Sequence, residues 1–114
     1  MRDDDAMADL DLASRVRVAL DGIDGITEKR MFGGPCFLLH GNLVAATGSG
    51  RLLVRIGRAA VADLPDEPAA RPAVMGERVM RDWVHVDPAS VDDEALRAWV
   101  ARALDFTATL PASD

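Results

Sequence analysis

Between Ile26 and Ile56 the chain is divided into short apolar stretches by links too brief for anything except a reversal of direction. Gly33-Gly34, His40-Gly41-Asn42 and Gly48-Ser49-Gly50 mark the breaks. Parallel strands need a crossover of about a dozen residues or more, and none of these links supplies one. The segment therefore reads as an antiparallel meander with strands at 26–32, 36–39, 43–47 and 51–56. In the last of these, Leu52, Val54 and Ile56 alternate with Arg51, Leu53 and Arg55, so one face is apolar and the other mixed. Gly and Asn tolerate positive φ, which suits His40-Gly41-Asn42 to a tight turn. The paired glycines at 33–34 ask for positive φ or for close approach by another backbone.

The flanking sequence changes period. Leu12, Val16, Ala19, Leu20 and Ile23 recur at helical spacing and predict a helix from about Met7 to Leu20, with Gly22 and Gly25 at its exit. A short helix is expected within 57–64, with Ala60, Val61 and Leu64 inward, before Pro65 breaks it. Strands follow at 71–75 and 79–86. Pro72 confines the first to a sheet edge or delays its start. In the second, Val84 and Val86 share a face with Asp82, opposite Trp83 and His85. Ser90 reads as an N-cap, with Asp93 three residues on, for a closing helix over 91–108. Its stripe is Leu96, Trp99, Val100, Ala103 and Phe106. This order gives an α+β fold with an antiparallel sheet of five to six strands, one face covered by N- and C-terminal helices.

A length of 114 residues suits one domain, taken as 9–110 after an acidic tail over 1–8. Charge narrows the partners. The net charge is −6, yet residues 26–56 carry three arginines and Lys29 against Glu28 alone. The overall balance argues against a surface that coats nucleic acid, and three Phe, two Trp and no Tyr leave few faces for base stacking. Cys36 is the single cysteine, which rules out an internal disulfide and fits a cytoplasmic protein. No apolar run reaches the ~18 residues of a membrane span.

Arg30-Met31-Phe32-Gly33-Gly34, the hairpin glycine Gly41, Leu52-Leu53-Val54-Arg55, Met80-Arg81-Asp82-Trp83-Val84 and the helix around 96–104 occur in an order that resembles the N-terminal domain of the TfoX (Sxy) family. Larger members of that family regulate bacterial competence. The likeness spans about residues 10–110 and implies a secretion-chaperone-like α+β fold with no established catalytic residue or cofactor. Asp82 departs from a glycine frequent in the family. The chain ends after the first domain, so a stand-alone domain is expected, and a nucleic-acid role dependent on the second domain does not carry over.

The residues themselves suggest little catalysis. Cys36 and His40 would share a strand face but lie ~13 Å apart along it, too far for a thiolate–imidazole pair. His85 and Asp87 share a face, and an acid orienting a histidine is a pattern of general bases and metal ligands. The plainer reading is a solvent-facing histidine beside an Asp-Pro turn. Gly33-Gly34 leads into a strand rather than a helix N-terminus, which disfavours a phosphate cradle. No cofactor or metal is expected. The expectation is a non-enzymatic regulatory or protein-interaction module, the alternative being nucleic-acid-linked regulation through a partner or through a basic patch of Lys29, Arg30, Arg51 and Arg55 on the meander. Arg30, Arg51, Arg55 and Trp83 form its candidate surface, and Met31, Phe32, Gly33 and Gly34 serve structure first. A second copy would pair through the sheet or an edge strand.

Overall fold

The computed structural model describes residues 12–31, 34–48, 51–64, 69–75 and 77–112. Helix α1 is described over 12–19, and strand β1 spans Ile26–Met31. Strands β2 (Gly34–Leu39), β3 (Asn42–Gly48) and β4 (Arg51–Arg55) complete the meander. Helix α2 (Arg58–Ala62) leads to β5 (Ala70–Met75) and β6 (Arg78–Val86), and α3 (Asp93–Thr107) closes the fold. The six strands form one sheet in the order β1-β2-β3-β4-β6-β5, with every pair antiparallel. The α+β expectation holds, with β5 and its Pro72 at an edge.

Both terminal helices lie on one face of this sheet. Leu12, Val16 and Leu20 from α1 and Leu96, Val100 and Ala103 from α3 share a core with Phe37, Leu39, Leu52, Val54, Val84 and Val86. The β2–β3 pairing carries a bulge. Phe37 sits opposite Ala45 and Leu38 opposite Leu43, which leaves Val44 as the extra residue. A bulge can turn two successive side chains to one side. Here both Val44 and Ala45 are buried in the helix-side core, and strict alternation would have sent one of them outward.

Two arginines pin α1 in place. Arg15 donates to the Asp93 carboxylate at 2.8 Å and to the carbonyls of Pro88 and Val91. Arg17 forms a two-pronged pair with Glu28 on β1, at 2.9 and 2.8 Å. These hydrogen bonds hold the Glu28 carboxyl below its usual range.

Several boundaries differ from the sequence reading for local reasons. The part of the first helix expected before residue 12, and Phe32 and Gly33, lie outside the described residues. Ile23 is exposed because the helix has ended and Gly22 has taken positive φ. The two positive-φ residues of the β2–β3 turn are His40 and Gly41, while Asn42 already belongs to β3. The last helix is capped by Asp92, not Ser90, and its carboxylate accepts from the Ala95 amide at 2.8 Å. Ser90 instead ends a 3-10 turn (Pro88–Ser90) and donates to Asp87 at 2.8 Å. Along α3 the buried set is Leu96, Val100, Ala103 and Thr107, with Trp99 and Phe106 only partly covered. Thr107 can be buried because its hydroxyl donates back to the Ala103 carbonyl.

Candidate functional site

The side of the sheet away from the helices is where the sequence placed its interaction residues, and β4 and β6 carry most of them. Leu53 pairs with His85, and Arg55 with Trp83. His85 also faces Arg71 across β5. His85 and Trp83 are both half-buried, while Arg51 and Arg71 are exposed. Burial pushes the His85 imidazole below its ordinary value, Arg51 pushes the same way, and Asp87 opposes both. Burial and the Arg51 charge together disfavour the protonated ring.

Asp87 does not orient that ring through a hydrogen bond. Its carboxylate accepts from the Ala89 amide at 3.1 Å and from the Ser90 hydroxyl at 2.8 Å. These two contacts hold its pKa down. The acid caps the 3-10 turn, and His85 beside it is half-buried rather than solvent-facing. Cys36 is buried on β2, and His40 is exposed at the turn, where its amide donates to the Gly25 carbonyl at 2.9 Å. Among the described residues no group of three His, Cys, Asp or Glu is arranged to hold a metal ion.

The four candidate surface residues do not gather into one patch. Arg30 is exposed on edge strand β1, opposite Pro35. It lies three strands from β4, or ~14 Å at the usual spacing. Arg51 and Arg55 stand at opposite ends of β4. Arg55 is committed to structure: its guanidinium is 3.5 Å from the Asp82 carboxylate and 5.7 Å from the centre of the Phe106 ring. Its Nε is buried with no hydrogen-bond partner. An orphan donor of this kind costs about 1–3 kcal/mol. Trp83 remains at the surface, at the rim of a depression.

That depression is the feature the sequence reading missed. An open concavity of about 520 Å³ is lined by Arg58, Arg78, Val79, Met80, Arg81, Asp82 and Trp83. Its origin is a mismatch of strand lengths. Strand β6 has nine residues, but only Trp83–Val86 pair with β4. At Asp82 the carbonyl accepts from both Ile56 and Gly57, and there β4 leaves the sheet for α2. Gly57 takes positive φ at that point and lies flush against the Phe106 ring. Residues Arg78–Met80 pair with β5 alone. The available signal was Gly57 itself, a break directly after an alternating strand and directly before Arg58.

Gly34 of the glycine motif has a structural explanation. Gly34 opens β2, and a Cβ there would collide with the backbone carbonyl of Thr47. The Thr47 hydroxyl donates to the Pro35 carbonyl at 2.7 Å, closing the same contact. Met31 is the register partner of Gly34.

No described helix is long and apolar enough to cross a membrane. A family model, TfoX N-terminal domain, matches residues 18–107. No curated protein and no solved structure matches the chain. The matched span runs from α1 through α3 and takes in the whole sheet, so the chain belongs to the TfoX N-terminal domain family.

Proposed function

We propose that this domain is a non-enzymatic regulatory module that acts in the cytoplasm by binding another protein through the surface around Trp83. The observation that carries the reading is the position of that indole. It is an amphipathic ring left partly exposed, at the rim of a concavity, on a sheet whose core is packed by helices. Large aromatic rings in such places are the side chains most often found at the centre of protein interfaces. Arg51 supplies charge on the same strand pair, and Arg55 is the register partner of Trp83. Arg30 lies outside this surface.

The edges of the sheet favour a discrete partner over open-ended strand pairing. Pro72 removes a donor from β5, and Glu28, Lys29 and Arg30 crowd β1 with charge. The non-enzymatic reading is supported by the commitment of Asp87 to its turn. The regulatory reading is supported by family membership.

Affinity capture from host lysate, with and without nuclease, tests the proposal. The expected result is one protein retained after nuclease by the native chain and reduced about tenfold or more by Trp83→Ala. Retention that depends on nucleic acid, or that ignores Trp83, would contradict it.

A further inference from the structure

We infer that the concavity between α2 and the first half of β6 docks a short acidic segment of the partner protein. The inference rests on the protein-binding reading above and names the chemistry of that partner.

Three arginines converge on the concavity: Arg58 from the start of α2, and Arg78 and Arg81 from β6. None of them forms an ion pair with a described residue. The carboxylate that shares the site, Asp82, is turned to Arg55. The site therefore presents three uncompensated guanidinium groups on a protein whose net charge is −6. A guanidinium offers paired donors matched to a carboxylate. Trp83 and the exposed Val79 add apolar surface beside the charges. The first half of β6 has a strand neighbour on the β5 side only. The open shape of the site suits a short segment lying across the arginines.

Size and charge together select a peptide over a nucleic acid. The volume accommodates a few side chains. A nucleic acid would extend past the arginines over a protein whose net charge is −6. Repulsion there opposes a long polyanion, whereas a short acidic segment stays within about one Debye length of its arginines.

The test uses two fluorescein-labelled peptides of equal length with the same valine spacing, one bearing Asp and Glu and the other Asn and Gln. Anisotropy is followed for the native chain, for the triple variant Arg58→Glu, Arg78→Glu, Arg81→Glu, and for the control Arg97→Glu, Arg102→Glu on α3. Circular dichroism checks that each variant is folded. The expected result is saturable binding of the acidic peptide by the native chain and the control. The triple variant and the amide peptide should each be weaker by about tenfold or more. Raised salt should weaken binding, and inorganic phosphate should compete only at high concentration. No binding of the acidic peptide, equal binding of the amide peptide, or an unaffected triple variant would overturn the inference. So would tighter binding of oligothymidylate than of the acidic peptide. If the peptide fails while a lysate protein is still captured through Trp83, this inference falls and the broader function stands. If the peptide binds but no partner depends on Trp83, the acidic site stands and the broader surface is wrong.

Discussion

Strand β6 is two different objects joined end to end. From Val84 to Val86 it has β4 on one side and β5 on the other, and Val84 and Val86 are fully buried under the helices. From Arg78 to Met80 it has only β5 beside it, and Val79, opposite Val74 across the hairpin, is 57% exposed, as is Val74 itself. The same residue type on the same strand, five positions apart, thus lies in the core at Val84 and in solvent at Val79. The difference comes from neighbours rather than β-propensity. Where pairing and helix cover are complete, packing dictates side chains. Where β4 has left the sheet, that constraint is lifted and arginines can occupy the surface.

The largest effect should come from substituting the two valines. Val84→Ala removes packed methyl groups from a closed core and is expected to lower stability by about 2–3 kcal/mol. Val79→Ala should stay within about 0.5 kcal/mol. Urea unfolding of both variants reads the contrast directly, and equal losses would erase the distinction between the two halves.

Next in size is the junction that separates them. Gly57→Ala forces a side chain into positive φ and against the Phe106 ring, with an expected cost of about 1–3 kcal/mol. Gly22→Ala makes the useful comparison, since Gly22 also has positive φ but nothing lies near its Cβ position. It should cost less in the same unfolding assay, and the difference measures the Phe106 contact.

A smaller effect is expected at the Arg55–Asp82 pair, which is 3.5 Å long and partly solvated. Asp82→Asn should shift stability by about 1 kcal/mol or less, as followed by thermal unfolding. A larger loss would show that this pair, rather than Gly57, fixes where β4 departs.

The smallest effect concerns pH. The His85 pKa is depressed in the folded protein, so the unfolded chain binds the proton more readily. The sign follows from linkage. Stability contributed by neutral His85 is present above the unfolded value near 6.5 and is lost as pH falls through it toward the folded value. His85→Gln should therefore flatten the fall in unfolding midpoint between about pH 7 and pH 5. A fall of unchanged steepness would assign the dependence to other groups.

Much of this fold was legible in the sequence because its links are short. Gly41 and the brevity of the turns required antiparallel pairing, and Pro72 placed β5 at an edge. The helical stripes were legible in period but not in extent. Ser90 and Asp92 are both competent caps, and only the 3-10 turn formed with Asp87 decides between them. The candidate site was less legible. Arg55 alternates with Val54 and Ile56 as a surface residue should, yet Asp82 and Phe106 engage it from elsewhere in the chain. Arg58, Arg78 and Arg81 are ordinary surface arginines until the mismatch between β4 and β6 brings them to one depression. A long-range mismatch of strand lengths has no local signature beyond the Gly57 break.

Residue-resolved amide hydrogen exchange along β6, with and without the acidic peptide, tests the division of this strand most directly. The account predicts that Val84 and Val86 exchange only through global unfolding. Amides in Arg78–Arg81 should exchange through a local opening that lies about 2 kcal/mol or more below the global limit. Added peptide should slow the second group and leave the first unchanged. Uniform protection along the whole strand, or slowing by the peptide confined to α1 and α3, would contradict it.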